Sequence, residues 1–187
     1  LVLSMLLEKL LSEIKPKILI AENVKGFFTL KNNFYYDLAK KEFENSGYNI
    51  SSFILNATHY GIPQKRQRLI MVGLRDDLSV KTIEKPPYVI SDEKQWIPLK
   101  KVIKSLIPED DKYYFSKKAI EGVKKAKNNM KRAVVQDMNG PCLTITSHLA
   151  KVSINSRDPV LLVNPQKEMY RRFTTREAAR IQSFPEN

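Results

Sequence analysis

Two short stretches carry the side chains best suited to chemistry. The first is A-E-N-V-K-G-F, residues 21–27, directly after the apolar run Ile18-Leu19-Ile20. It sets a carboxylate, Glu22, beside an amide, Asn23, where a buried strand is expected to end. The second is Y-G-I-P-Q-K-R-Q-R, residues 60–68. Arg66 and Arg68 share a side if the segment is extended, because alternate residues of a strand do. Pro63 fixes the backbone just before them, and Gln64 adds an amide. A guanidinium fork can hold a carbonyl or phosphate oxygen at two points. Taken alone, each stretch has an ordinary counterpart: an Asx-type loop with a solvated carboxylate, and a basic turn or surface ion pair.

The elements that must position these residues alternate along the first part of the chain. Leucines at 3, 6, 7, 10 and 11 repeat at helical spacing and predict an amphipathic helix over 1–14 that packs on a sheet. A strand over 17–21 and a loop through Gly26 follow. A helix is expected over about 32–46, with Phe34, Leu38 and Phe43 on or near one stripe and Gly47 closing it. Residues 48–58 and 68–74 read as strands. Helix–strand–helix–strand order predicts a mainly parallel, three-layer α/β domain. The loop between the last two strands is too short for a helical crossover, which leaves that pair free to run antiparallel.

Beyond Leu74-Arg75-Asp76-Asp77 the texture changes to prolines, lysine clusters and no sustained period. Glu-Lys-Pro-Pro-Tyr (84–88) reads as a linker into a smaller module. Within it, 98–106 and 116–127 read as short helices, and G-P-C-L-T-I-T-S-H-L (140–149) and D-P-V-L-L-V-N (158–164) as strands. A helix over 174–184 is announced by Thr174 as N-cap, with Glu177 three residues on.

The formal net charge of +12 over 187 residues favours a polyanionic partner, nucleic acid before a membrane surface, with a solvated lysine-rich surface as an equal competitor. The N-terminal apolar run is too short and too charged for a membrane span. One cysteine excludes an internal disulfide framework and fits a reducing compartment, and two histidines with one cysteine argue against a metal site. Starting at Leu1 and stopping after S-F-P-E-N, the chain reads as a piece of a longer one or of a complex.

Taken together, E-N-V-K-G-F, N-A-T-H-Y-G-I-P-Q-K-R-Q-R-L-I-M-V-G and R-R-F-T-T-R-E-A-A-R-I-Q-S-F-P occur in the order and rough spacing of the sixth, eighth and ninth conserved blocks of DNA cytosine-5 methyltransferases. The resemblance covers the chain except about 85–140. It implies the C-terminal half of a Rossmann-like α/β methyltransferase domain (1–84), a small mixed target recognition domain (85–165) and a joining helix (166–187). It implies double-stranded DNA as partner and a cytoplasmic, prokaryotic, nucleoid-associated setting of restriction–modification.

In that family a cytosine is flipped from the duplex, a cysteine thiolate adds to C6, and C5 takes a methyl group from S-adenosylmethionine. The resemblance makes Glu22 the contact to N3 and the exocyclic amine, and Arg68 the contact to O2, with the two gripping opposite edges of the pyrimidine. Attack at C6 pushes electrons toward N3 and O2, where a proton donor and a guanidinium lower the barrier. Asn23 is expected to orient the loop. Gln64 and Arg66 fix the second loop or approach the DNA backbone. Thr144, Thr146, Ser147, His148 and Lys151 are expected nearest DNA, because short hydroxyls read base edges and lysines hold phosphates. One of the two threonines is equally a plain strand residue. A helix over 117–132 faces phosphate or solvent. Arg171, Arg176, Glu177 and Arg180 organise the joint to the recognition domain.

Three family blocks have no counterpart in these residues: the glycine-rich methyl-donor turn, the Pro-Cys-Gln nucleophile and the tenth block. Cys142 follows a proline, but Leu143 replaces glutamine and the pair lies in the recognition region, so it reads as a small buried residue. S-adenosylmethionine is therefore expected to bind mainly on an N-terminal half, which is also a partner candidate. Two functions compete: the visible part or C-terminal subunit of a methyltransferase, and a truncated relic that grips DNA without turnover.

Overall fold

The computed structural model describes residues 9–107, 110–124, 134–147, 149 and 159–186. In chain order the elements are α1 (9–14), β1 (Ile18–Val24), α2 (Lys25–Thr29), α3 (Phe34–Asn45), β2 (Tyr48–Asn56), β3 (Gln64–Lys65), β4 (Gln67–Arg75), α4 (Lys117–Lys124), β5 (Val134–Val135), β6 (Cys142–Leu143), β7 (Pro159–Asn164), β8 (Met169–Arg171) and α5 (Thr175–Ile181). They fall into two compact units: the described parts of Leu1–Asn56 with Gln67–Pro87, and of Ala57–Arg66 with Tyr88–Asn187.

The first unit is built on a three-stranded sheet in the order β1-β4-β2. The antiparallel pairing left open for β2 and β4 is present, but β1 also pairs antiparallel with β4, so the described sheet is not mainly parallel. Helices α2 and α3 bring β2 back in the direction of β1, one strand-width away, and β4 returns between them. Pairing with β4 continues from Ile18↔Leu74 to Val24↔Arg68. This ladder carries β1 past the expected end at Ala21, so Glu22 and Asn23 lie within the strand, and α2 starts at once after it.

One sheet face is covered. Leu19, Ala21, Leu69, Met71, Ile50 and Ile54 pack with Leu11 of α1, Phe27 and Phe28 of α2, and Tyr36 and Phe43 of α3. Gly73 is required here, since a Cβ at that position would lie 2.7 Å from Leu19 Cγ and 2.9 Å from Ile50 Cδ1. The expected stripe on α3 is only partly right: Phe43 is buried, whereas Phe34 and Leu38 are 57% and 46% exposed. Gly47 closes α3 at φ 86°, its N–H donating to Glu44 O at 3.0 Å. On β1 the opposite face is open and apolar, with Ile18 and Ile20 54% and 72% exposed. Of the leucines expected to pack on the sheet, Leu11 does and Leu10 is exposed; those at 3, 6 and 7 lie outside the described residues.

The second unit has its own core of Leu99, Val102, Ile103, Cys142, Leu161, Phe173 and Ile181. The helix expected over 98–106 is a single 3₁₀ turn, Leu99–Lys101. That turn suffices to bury Leu99, Val102 and Ile103. Of the expected 117–132 helix, Lys117–Lys124 is helical and the remainder lies outside the described residues. Among the described residues three strand pairs belong to the unit: β3–β6 and β5–β7 parallel, β7–β8 antiparallel.

At its C-terminal end Thr174 caps α5, and Glu177 returns the bond to the Thr174 N–H at 2.8 Å, the capping box expected from sequence. Arg171 is fully buried and uses every guanidinium N–H: two to Glu177 Oε2 and Oε1 at 2.7 and 2.8 Å, and three to the carbonyls of Ser105, Leu106 and Arg172. Arg176 and Arg180 instead pair with Glu186.

Candidate active site

Register places the acid and the guanidinium. Glu22 pairs with Ile70 and Val24 with Arg68. Residues paired across an antiparallel ladder share a face, as do alternate residues along one strand. Glu22 and Arg68 are therefore diagonal neighbours on the face opposite the helices. Arg68 Nε donates to Glu22 Oε1 at 2.7 Å, and Arg68 Nη1 donates to Gln67 O at 2.9 Å, which fixes the fork in the plane of the strand end. The Glu22 side chain is 50% exposed and that of Arg68 18%. A carboxylate and a guanidinium thus stand side by side. Asn23, one residue on, faces the other way. Its Oδ1 accepts from the Val24 N–H at 2.8 Å, so the amide shapes the strand-to-helix corner.

Gln64 and Arg66 belong to the second unit. Residues 57–66 fold on themselves: a 3₁₀ turn over Ala57–Tyr60, Gly61 at φ 77°, and bonds from Ala57 N–H to Arg66 O at 3.0 Å and from Ile62 N–H to Ala57 O at 3.2 Å. Gln64 is 1% exposed, inside this loop. Arg66 is half-buried. The ladder to β6 pairs Gln64 with Cys142 and Lys65 with Leu143. Around it, Cys142 N–H donates to Pro63 O at 2.9 Å, Leu143 N–H to Gln136 Oε1 at 2.8 Å, and Thr144 Oγ1 to Lys65 O at 2.7 Å.

Among the residues expected at DNA, Thr144 is half-buried with its hydroxyl hydrogen engaged by the chain itself, while Thr146 and Ser147 are exposed. Those two line a cleft of about 510 Å³ whose wall includes Lys112, Arg172, Thr175 and Gln182. His148 and Lys151 lie outside the described residues. Sequence reasoning missed an aromatic group beside the loop. His59 stacks on Tyr88 at 4.0 Å, meets Trp96 edge-on, and binds Ile90 O through Nδ1 at 2.8 Å. Its signal was the Thr-His-Tyr that precedes Gly61. Cys142 is completely buried, and burial pushes its thiol up to about 12, so it stays protonated and inert as a nucleophile.

A cavity of about 360 Å³ in the first unit is lined by Glu44, Gly47, Asn49, Asp76 and Lys81. It lies at the end of β2 and β4 remote from Glu22.

The model of the family described as C-5 cytosine-specific DNA methylase matches residues 2–187. The Type II methyltransferase M.FnuDI of Fusobacterium nucleatum is 30% identical over 95% of this chain and 57% of that protein. M.AplI of Arthrospira platensis is 33% identical over 92% of this chain and 48% of that protein. The chain spans about half the length of the curated relatives it matches. Among solved structures, the Dnmt2 methyltransferase of S. pombe superposes with a TM-score of 0.69 at 18% identity, covering 98% of this chain and 60% of that one. That likeness extends to a Spodoptera frugiperda DNMT2 mutant, with a TM-score of 0.70 at 16% identity over 97% of this chain and 60% of that one. With a match that runs from residue 2 to residue 187, the chain belongs to the C-5 cytosine-specific DNA methylase family.

Proposed function

We propose that this chain is the base-reading and DNA-reading part of a DNA cytosine-5 methyltransferase, and that Glu22 and Arg68 hold a flipped cytosine. The 2.7 Å contact between them on an open sheet face carries the reading. Held that close, they leave no room for a ring between them, so the expectation of a grip on opposite edges gives way to another. The exocyclic amine, N3 and O2 all lie along the Watson–Crick edge, the edge that base-flipping enzymes read. A carboxyl and a guanidinium side by side match that edge: Glu22 at the amine and N3, Arg68 at O2. Arg68 donates to O2 and stabilises negative charge as it grows there; Glu22 shares a proton with N3 as electrons arrive. S-adenosylmethionine supplies the methyl group and the nucleophilic thiolate attacks C6; both are held by residues outside this chain. The exposed apolar side chains of Ile18, Ile20 and Val24 support the remainder of the same enzyme as the partner that covers β1. Net charge, and the exposed Thr146 and Ser147, support double-stranded DNA as the other partner.

The test combines this chain with the remaining part of the enzyme and follows transfer of labelled methyl groups to DNA. Wild-type chain should restore transfer. Glu22→Gln should lower turnover by roughly 10²–10⁴-fold, the usual weight of one acid–base group, while DNA affinity stays within about threefold. Equal losses of rate and affinity would remove the proton role. Retained DNA binding without any transfer by the wild-type combination would leave a DNA-gripping relic instead.

A further inference from the structure

The chain crosses between the two units after Asn56, after Arg66 and after Pro87. Within the second unit, the residues that follow the last crossing meet the loop that follows the first. His59 O accepts from the N–H groups of Val89 and Ile90 at 3.0 and 2.9 Å. Its ring returns the bond, Nδ1–H donating to Ile90 O at 2.8 Å. A carbonyl only accepts, so the proton of this bond sits on Nδ1. The imidazole thus supplies the donor that a strand partner would take from its backbone. The same ring stacks on Tyr88, with centroids 4.0 Å apart and planes inclined by 11°, and meets Trp96 edge-on at 5.2 Å. Tyr88 and Val89 are exposed, so apolar burial does little to hold this stretch, and the His59 side chain supplies it with both a polar and a stacking contact.

We infer that His59 is a positioning residue: its ring clips residues 88–90, where the recognition stretch begins, onto the loop that carries Arg66, and so holds that loop in the conformation turnover needs. The part in turnover rests on the methyltransferase reading above. His59 lies in the 3₁₀ turn Ala57–Tyr60, whose first residue donates to Arg66 O at 3.0 Å, so a shift of the turn is carried directly to Arg66. The β3–β6 ladder that attaches the other end of the loop is two residues long and marginal by itself, which leaves a large share of the restraint to the clip. Its acceptor is a main-chain oxygen, so the bond depends on the residue at 59 and not on the side chain at 90. His59→Phe keeps a ring to stack on Tyr88 and loses the donor. His59→Asn sets an N–H near the place of Nδ1 and loses the stack.

The experiment compares both variants with wild type in two measurements. In the full chain alone, amide hydrogen exchange is read at Val89 and Ile90, which bond His59 O, with Gln136, which bonds Val160 O, as control for the folded unit. His59→Phe should raise exchange at 89 and 90 about five- to tenfold, as loss of one hydrogen bond predicts, and leave Gln136 unchanged, while His59→Asn stays nearer wild type. In the chain combined with the rest of the enzyme, His59→Phe should lower kcat about tenfold, the effect of a loosely held group, with the dissociation constant for target DNA unchanged and His59→Asn again nearer wild type. Unaltered exchange at 89 and 90 in His59→Phe overturns the clip, as does an asparagine variant that exchanges as fast as the phenylalanine one. Exchange raised equally at Gln136 overturns it too, since that marks a general loosening of the unit. A wild-type kcat despite raised exchange overturns the part in turnover. Failure of the wild-type combination to transfer methyl groups sinks the enzyme reading, and the turnover part with it, while exchange at 89 and 90 still decides the clip.

Discussion

Glu22 and Arg68 owe their meeting to one count of residues along two strands. A shift of one residue in the β1–β4 register would turn Glu22 into the helix-covered face, beside Leu19 and Ala21. Asn23 demonstrates the converse: adjacent in sequence to the acid, it faces the other way and serves the corner into α2. At the same scale, Glu186 sits where it can be titrated. A hydrogen bond from Arg180, with Arg176 and Lys104 nearby, holds its carboxyl at about 2, below the ordinary 4.5. The folded value is the lower one, so this contact stabilises the chain fully above about pH 4.5, and the contribution is lost as pH falls through about 2. The group is exposed, so the gain is small and weakens with salt. A carbon-detected NMR titration of Glu186 should give a midpoint near 2; one near 4.5 would mean that the C-terminal tail is not tied to α5 in solution.

At the scale of elements, α5 was legible because its signals are local. Thr174, Glu177 and the apolar spacing all lie within one short stretch, and the capping box forms as expected. What that stretch could not reveal is the partner of Glu177. Arg171 fills the buried end of the helix and binds it at two points. Arg171→Met should cost about 3–5 kcal/mol, because it strands a buried carboxylate. Thr174→Ala should cost only about 1 kcal/mol, the value of a cap. Urea denaturation of the chain ranks them, and a threonine change costlier than the arginine change would refute a buried ion pair as the organiser of this end. Helix α3 illustrates a different failure. Phe34, Leu38 and Phe43 lie near one stripe, yet the face that packs on the sheet carries Tyr36 and Phe43 and leaves the other two in solvent. Periodicity locates an apolar stripe but not how much of it a neighbour will cover.

Over the whole molecule, charge is the property that needs no fold. With 32 Lys and Arg against 20 Asp and Glu, binding to duplex DNA should weaken steeply as salt rises. Each phosphate neutralised adds about −0.9 to the slope of log affinity against log salt, so contact with several should be plain in a fluorescence-anisotropy titration. A flat plot would show that the lysines are merely solvated. The three motif stretches, their order and the family they mark were also readable from the chain, because each is contiguous and needs no knowledge of its neighbours. Pairing across the chain was not. Insertion of β4 between β1 and β2, the extension of β1 to Val24, and the docking of Gln64–Lys65 on Cys142–Leu143 all join residues remote in sequence. Local residue types thus determined which groups could do chemistry, whereas strand register, a long-range packing outcome, decided that Glu22 and Arg68 stand together.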